Sequence, residues 1–408
     1  MTSFDSTPVP IAVDVLIIGA GQAGLAMSYC LKQRNIHHIL VERGEIAQRW
    51  RSESWDSLRL LTPNDQTNLP SWSYQGDHPE GFMRVSEYIS FLEDYARSFD
   101  APILSGTTVE SVSKSGRQYY IQSEGHCWIA NAVVIATGHC CSPIIPEYSK
   151  RLNRDIHQFT AGQYLNPGQL PAGGILVVGA GASGVQIAEE LRLSGREVTL
   201  SVGKHRRLPR RYKGKDILCW VKELGIFDKL TDPGSVPDIP APQLIGSEDA
   251  HTIDLNTLQN LGVKLTGRIA GIADSLVSFE NNLASLANQA DQDMYVMLEK
   301  IDRHVNDDQP GFQKILPVTV PDAPLHLDLK SAGINNIIWA TGYRRTYSWL
   351  NLDVFDTQGE IKHLGGITAE PGLVLIGMRR QIRYNSNFIE GVGKDAELLA
   401  DHIKKHLS

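Results

Sequence analysis

Val13-Asp14-Val15-Leu16-Ile17-Ile18 empties into Gly19-Ala20-Gly21-Gln22-Ala23-Gly24, and Ile175-Leu176-Val177-Val178 empties in the same way into Gly179-Ala180-Gly181-Ala182-Ser183-Gly184. Each is an apolar strand-type run followed by G-x-G-x-x-G and a helix-type run. In such a turn the first glycine allows the tight bend and the second lets backbone approach a pyrophosphate. The third lets helix pack on strand, and the helix N–H groups then face the diphosphate. One copy is a weak signal. Two copies imply two dinucleotides in one protein, with electrons passing between them.

The two units part company at the end of their second strand. Eighteen residues beyond Gly24 stands Glu42, after the strand His38–Val41; eighteen beyond Gly184 stands Val202, after Glu197–Ser201. A carboxylate at that place accepts hydrogen bonds from a ribose carrying both hydroxyls and repels a 2′-phosphate. The first site, with Gly19, Gly21, Gln22, Ala23, Gly24, Glu42 and Arg43, is therefore assigned to FAD. At the second the acid is gone and Gly203-Lys204-His205-Arg206-Arg207 follows, with Arg210 and Arg211 close behind. Cations there suit a 2′-phosphate, so Gly179, Gly181, Ser183, Gly184, Lys204, Arg206 and Arg207 are assigned to NADPH. A solvated loop or a nucleic-acid patch is the alternative for that basic run.

Around these motifs the chain is expected to be α/β, with two Rossmann-like dinucleotide-binding domains, one inserted in the other. Residues 1–168 with 324–408 would bind FAD and 169–323 NADPH, the first boundary falling in the Pro/Gly-rich stretch Asn166–Gly174. Helix-type periodicity runs over Val85–Phe99, and Thr107–Val112, Gln118–Gln122 and Cys127–Ile129 alternate like antiparallel strands. Asn131–Ala136 runs into Thr137-Gly138, and Ile334–Ala340 into Thr341-Gly342, each turn bringing bare backbone beside a cofactor. Leu230–Gln309 is the least readable stretch, with helical character at Asn282–Gln289 and Tyr295–Val305. The last strand, Leu373–Gly377, leads to a closing helix from about Phe388 to His406.

With 408 residues there is ample material for a large core. A net charge of -7 gives no global electrostatic case for nucleic acid or anionic membrane. No uncharged stretch is long enough to span a bilayer, and the polar Met1–Pro10 reads as a frayed lead-in rather than a signal. The five cysteines form no metal-like cluster, which suits a cytoplasmic, reduced protein. Adjacent Cys140-Cys141 is a strained pair for a disulfide, and no C-x-x-C is present. An oligomer is left open.

The chain resembles the class B flavoprotein monooxygenases, similar to the flavin-containing monooxygenases and, within them, to plant indole-3-pyruvate monooxygenases and their bacterial relatives. The likeness covers nearly the whole chain. It is carried by GAGQAG with Glu42, Gln48-Arg49-Trp50, Trp55–Leu60 leading to Thr62-Pro63 and Leu69-Pro70, and both Ala-Thr-Gly turns. Leu208-Pro209-Arg210-Arg211 and Phe388–Ala396 complete it. One departure concerns the family's F-x-G-x-x-x-H motif: His157 takes the histidine place, but Arg151 and Asn153 replace Phe and Gly, Ala161 holds the aromatic position and Tyr164 comes three residues late. Animal-type members also carry a catalytic asparagine where Leu61 falls, with Asn64 a nearby substitute.

The resemblance implies a two-step reaction. NADPH reduces FAD, the reduced flavin takes up O2 as a flavin peroxide, and one oxygen goes to a small organic substrate. It also implies roles for single residues. Leu61, Thr62 and Asn64 would face the flavin, Trp50 would flank it, and Val109 would meet the adenine. Thr137, Gly138, Thr341 and Gly342 would line the cofactors at the return crossings. Asn387 and Phe388 open the final helix, whose positive end suits the flavin pyrimidine carbonyl, ordinary capping being the alternative. Arg379, Arg380 and Arg383 would meet an anionic substrate or form a solvated loop. An NADPH-dependent flavin reductase or oxidase without oxygen transfer, and a non-catalytic flavin-binding protein, are the other functions these folds allow.

Overall fold

A computed structural model describes residues 9–231, 240–305 and 314–408; most of the lead-in Met1–Pro10 and two pieces of Leu230–Gln309 lie outside them. Among the described residues the chain builds two parallel sheets. In the first, Leu373–Leu375, His126–Ile135, Ile11–Ile18, His38–Val41 and Ile103–Leu104 lie side by side, all parallel. The runs separately read as Cys127–Ile129 and Asn131–Ala136 are one continuous strand. Its first half closes an antiparallel meander with Val109–Ser115 and Gln118–Ser123, while on its other edge Trp128–Ile135 runs parallel to Ile11–Ile18. Both faces are covered, which is why Val15, Leu16 and Ile17 are fully buried and the strand reads as a continuous apolar run. Helices Gln22–Lys32, Val85–Ser98 and Ile389–Leu407 cover one face, and the meander covers the other.

The second sheet runs His157–Thr160, Ile334–Trp339, Gly174–Val178, Val198–Ser201, Lys264–Thr266, again all parallel. Helices Ala182–Leu193 and Leu255–Asn260 pack on one face, and the antiparallel strands Ile269–Ala273, Leu276–Phe279 and His326–Asp328 on the other. Its outer strands carry a correction. The boundaries at 168/169 and 323/324 leave His157–Thr160 and Ile334–Trp339 outside the unit whose sheet they complete. The Pro/Gly-rich stretch Asn166–Gly174 is a turn inside that unit, with a 3-10 helix at Pro167–Gln169. The chain crosses between units instead at Ser142–Pro143 and Tyr343–Arg344, which pair antiparallel as a two-stranded ribbon. The two helical stretches read in the middle are one helix, Leu283–Val305.

The two units share one construction. Gly19 and Gly179 adopt φ of +106° and +108°, open only to glycine at low cost. A Cβ on Gly19 would stand 2.7 Å from the carbonyl oxygen of Ala136, and one on Gly179 2.4 Å from that of Ala340. Each Ala-Thr-Gly turn therefore packs its alanine carbonyl on the first glycine of its own fingerprint. Gly24 and Gly184 lie so close to the carbonyls of Gly19 and Gly179 that a Cβ would stand 1.9 and 1.8 Å away. Because those neighbours are backbone and cannot swing aside, Gly24→Ala should destabilise the protein by about 3 kcal/mol. Urea unfolding measures it; an unchanged midpoint would refute this packing.

Candidate functional site

The first fingerprint has the features a pyrophosphate needs. Helix Gln22–Lys32 starts at Gly21 with no side-chain cap, so its first N–H groups remain available. A Cβ on Gly21 would meet nothing within 4 Å. That is open space at the loop centre, between two glycines packed against backbone. Glu42, only 9% exposed, sits beside the loop and accepts from the N–H of Ala20 at 2.8 Å and of Gly44 at 3.3 Å. Arg43 instead pairs with Glu53 at 3.5 Å. The Glu42 carbonyl accepts from Thr107 N–H at 2.7 Å, which draws the segment leading to Val109 alongside.

Other expected residues converge on the same loop. Gln22 donates from Nε2 to the carbonyl of Asn387 at 3.1 Å and accepts from the Tyr88 hydroxyl at 2.9 Å. Trp50 packs edge-on against Tyr88, the rings 5.2 Å apart. Asn387 and Phe388 stand at the start of helix Ile389–Leu407, whose N-cap Phe388 offers no side-chain cap. Thr137 follows the Ala136 that touches Gly19, and its buried hydroxyl has no hydrogen-bond partner among the described residues. A buried polar group without a partner is costly, and a bound dinucleotide would supply one. These observations fit FAD. Sequence reading missed His139, the next residue after Gly138. Burial, then Arg379, Arg49 and Arg345, hold its imidazole down to about 4, so it is neutral at pH 7.

The flavin-facing segment is only partly as expected. Leu61 and Thr62 are half-buried, and the Leu61 carbonyl accepts from Arg210 Nη1 at 2.9 Å. Asn64 departs from its assignment. It is 4% exposed, its amide donates to the His78 carbonyl at 2.9 Å, and its carbonyl accepts from Met83 N–H at 2.9 Å. Its side chain braces the turn 78–83 and so is not presented to a cofactor. An open groove of about 1170 Å³ lies there, between Trp72, Tyr74, Phe91 and the segment Ser247–Ala250.

The second fingerprint repeats the open centre. A Cβ on Gly181 meets nothing within 4 Å, and helix Ala182–Leu193, which carries Ser183 and Gly184, starts without a side-chain cap. Gln243, fully buried, donates to the Ala180 carbonyl at 2.9 Å and steadies the loop. The partner of Glu42 by position, Val202, is fully buried and its N–H donates to Thr266. The Ala-Thr-Gly turns are not equivalent in their polar groups, because the Thr341 hydroxyl donates to the Ile144 carbonyl and Gly342 O accepts from Ile144 N–H. Thr341 and Gly342 thus fasten the crossing ribbon.

The basic run is the main correction. Arg207 is 4% exposed and bonded to Asp254 at 2.7 Å and Asp291 at 2.5 Å. Arg210 is fully buried against Asp216, with its Nε donating at 2.7 Å. Arg206 donates to the Tyr384 hydroxyl at 3.0 Å. None of the three guanidiniums is presented as a solvated cluster. Spacing alone could not separate a phosphate-binding arginine from one needed by two buried aspartates 47 and 84 residues away. His157 is exposed on the edge strand, and Tyr164 is a core residue donating to Glu190 at 2.7 Å.

A model of the pyridine nucleotide-disulphide oxidoreductase family matches residues 16–223. An uncharacterized CzcO-like oxidoreductase of Geobacillus kaustophilus is 35% identical over 97% of this chain and 99% of its own. A probable indole-3-pyruvate monooxygenase of Arabidopsis thaliana, YUCCA3, is 28% identical over 90% of this chain and 82% of its own. Among solved structures, a flavin-containing monooxygenase from Stenotrophomonas maltophilia superposes with a TM-score of 0.69 at 19% identity, covering 97% and 99% of the two chains, which shows a shared fold. These relationships make the chain flavin-monooxygenase-like and imply FAD and NADPH as its cofactors. Among the described residues no helix is long and apolar enough to cross a membrane.

Two outcomes follow from this geometry. Arg207→Ala leaves two buried aspartates without their cation and should cost about 3–5 kcal/mol of stability, with the ratio of activity on NADPH to that on NADH unchanged in the folded protein. A changed preference at unchanged urea midpoint would put Arg207 in the phosphate pocket after all. The second concerns His251, which bridges Glu189 at 3.0 Å and Asp249 at 2.8 Å. The bond to Glu189, working against partial burial, and then the bond to Asp249 push its imidazole up to about 9 from 6.5. A raised folded value means that the clamp stabilises fully below pH 6.5 and is lost as pH rises through about 9. The Tm difference between wild type and His251→Gln should therefore be largest near pH 6 and vanish above about pH 9.5; a pH-independent difference would show that the imidazole is not charged.

Proposed function

The chain belongs to the pyridine nucleotide-disulphide oxidoreductase family, and from that premise we propose that it is an NADPH-dependent FAD monooxygenase acting on a small organic substrate. The balance is NADPH, H+, O2 and substrate in; NADP+, water and the oxygenated substrate out. The flavin supplies the redox chemistry when bound. The observation that carries the reading is one construction used twice and finished differently. Both loops are open at their centre glycine, but Glu42 closes the first and Val202 stands at the same place in the second.

The residues of the chain bind, orient and shield. The uncapped helix N-terminus at Gly21 and the Glu42 carboxylate would hold the FAD diphosphate and ribose. The Thr137 hydroxyl would gain its missing partner there. Phe388, at the N-terminus of the closing helix, would set that helix's positive end toward the flavin ring. Gly181 would receive the NADPH diphosphate. With Arg207 held by Asp254 and Asp291, the 2′-phosphate would be met by His205 at the start of the basic run. His205 is 5% exposed, burial keeps its ring below its ordinary value, and its Nε2 has no partner among the described residues. Leu61 and Thr62, pinned through Arg210, would run past the flavin as a dry wall.

A second reading, an NADPH oxidase, rests on the altered motif around His157. Stoichiometry with labelled dioxygen separates the two. Oxygen insertion predicts label in the organic product, with less than one H2O2 per NADPH; H2O2 equal to NADPH with every substrate would leave only the oxidase. Gly181→Ala, whose Cβ touches no protein atom, should retain FAD while flavin reduction by NADPH slows about tenfold or more.

A further inference from the structure

Where the two units meet beyond the flavin-facing segment, the guanidiniums of Arg206 and Arg380 converge on the Tyr384 phenol. Arg206, from the second unit, donates to the Tyr384 hydroxyl oxygen at 3.0 Å. Arg380, from the loop after the last strand of the first unit, lies over the Tyr384 ring with its guanidinium carbon 4.4 Å from the centroid. The phenol oxygen already accepts from Arg206, so its own proton is left to donate, and among the described residues nothing accepts it. Burial pushes the phenol's pKa up, but Arg206 and then Arg380 outweigh it and leave it below the ordinary value.

Neither guanidinium has a carboxylate of the described residues within ion-pair distance. Arg383, three residues beyond Arg380, is paired with Asp395 at 2.5 Å, and Arg207, next to Arg206, holds two aspartates. Charge compensation is thus supplied to the neighbours and withheld from this pair. The loop is also built rather than loose. Arg380 adopts a φ of +52°, a conformation that L-residues avoid. Gln381 fixes it by donating to the Leu375 carbonyl at 2.7 Å and accepting from Met378 N–H at 3.1 Å. The Ser386 hydroxyl oxygen accepts the N–H groups of Ile382 and Arg383.

The surroundings are apolar. Phe227 stacks on Tyr384 with centroids 6.4 Å apart and meets Phe388 edge-on at 5.4 Å, and Leu61 packs on the same cluster. Two unpaired cations and a phenol beside aromatic rings match a ligand with an anionic head and an aromatic or apolar body. A nucleotide diphosphate is served elsewhere, by the glycine loops.

We propose that Arg206, Arg380 and Tyr384 form a carboxylate-binding subsite that selects an organic acid as substrate and orients its apolar body toward the Leu61–Thr62 segment. The proposal rests on the monooxygenase reading above for the word substrate, but its test does not need turnover. The FAD-loaded enzyme is titrated calorimetrically with 3-phenylpropionate and, separately, with 3-phenylpropan-1-ol. The acid should bind about tenfold or more tightly than the alcohol. Arg380→Gln and Arg206→Gln should each weaken the acid about tenfold and leave the alcohol unchanged. Arg380→Gln removes no contact between the units' backbones, so it remains informative if Arg206→Gln folds poorly. Equal affinity for acid and alcohol, or acid binding indifferent to Arg380→Gln, would overturn the subsite. Weakened NADP+ binding with unchanged acid binding would overturn it too and place a coenzyme phosphate there. If the acid binds as described while all NADPH is recovered as H2O2, the subsite stands and the oxygen-transfer reading falls.

Discussion

The rest of the molecule depends on a backbone-on-backbone contact, the carbonyl of Ala136 against Gly19 and the carbonyl of Ala340 against Gly179. It joins the end of the fingerprint strand in each unit to the end of the strand beside it and fixes where the loop centre opens. A side chain at either glycine would push the two strand ends apart. Because the contact is made of main chain, no rearrangement of rotamers could relieve such a push. Room for a diphosphate at Gly21 and Gly181 thus follows from tightness at the glycines on either side.

Electrostatics then distinguishes two units that sterics made alike. In the first, Glu42 leans on the loop amides. In the second, a buried valine stands there and the cations that follow are distributed to different tasks. Arg207 neutralises two aspartates that join strand 206–207 to helices Leu255–Asn260 and Leu283–Val305. Arg210 reaches the Leu61 carbonyl across the junction, with Asp216 balancing its charge. Arg206 ends on Tyr384. Desolvating a guanidinium costs several kcal/mol unless a counter-charge is near, which accounts for the aspartates at buried Arg207 and Arg210, whereas Arg206 and Arg380 are only half-buried.

The junction is fastened at several places. The ribbon of Ser142–Pro143 with Tyr343–Arg344 carries both chain crossings. On the other side Thr231 N–H donates to Ile382 O, Tyr384 N–H to Lys229 O and Asn385 N–H to Phe227 O, with Lys394–Asp228 and Lys222–Glu390 ion pairs alongside. These hold the loop that bears Arg380, Tyr384 and Asn387 against the second unit, so that residues from both units can face one ligand.

Much of this was legible in the chain itself. Strand-glycine-helix periodicity located both loops, because a buried parallel strand must be apolar on both faces and the turn after it admits only glycine. The position of Glu42 was legible for the same reason, since strand length sets the offset. The domain boundaries were not. His157–Thr160 and Ile334–Trp339 add to the second sheet by hydrogen bonds between segments about 180 residues apart, and a Pro/Gly-rich turn looks the same inside a unit as between units. Nor were the roles of Asn64 and Arg207 legible. A local sequence determines which groups can donate or carry charge; which acceptor or counter-charge meets them depends on distant segments brought within 3 Å, and only the tertiary structure decided that.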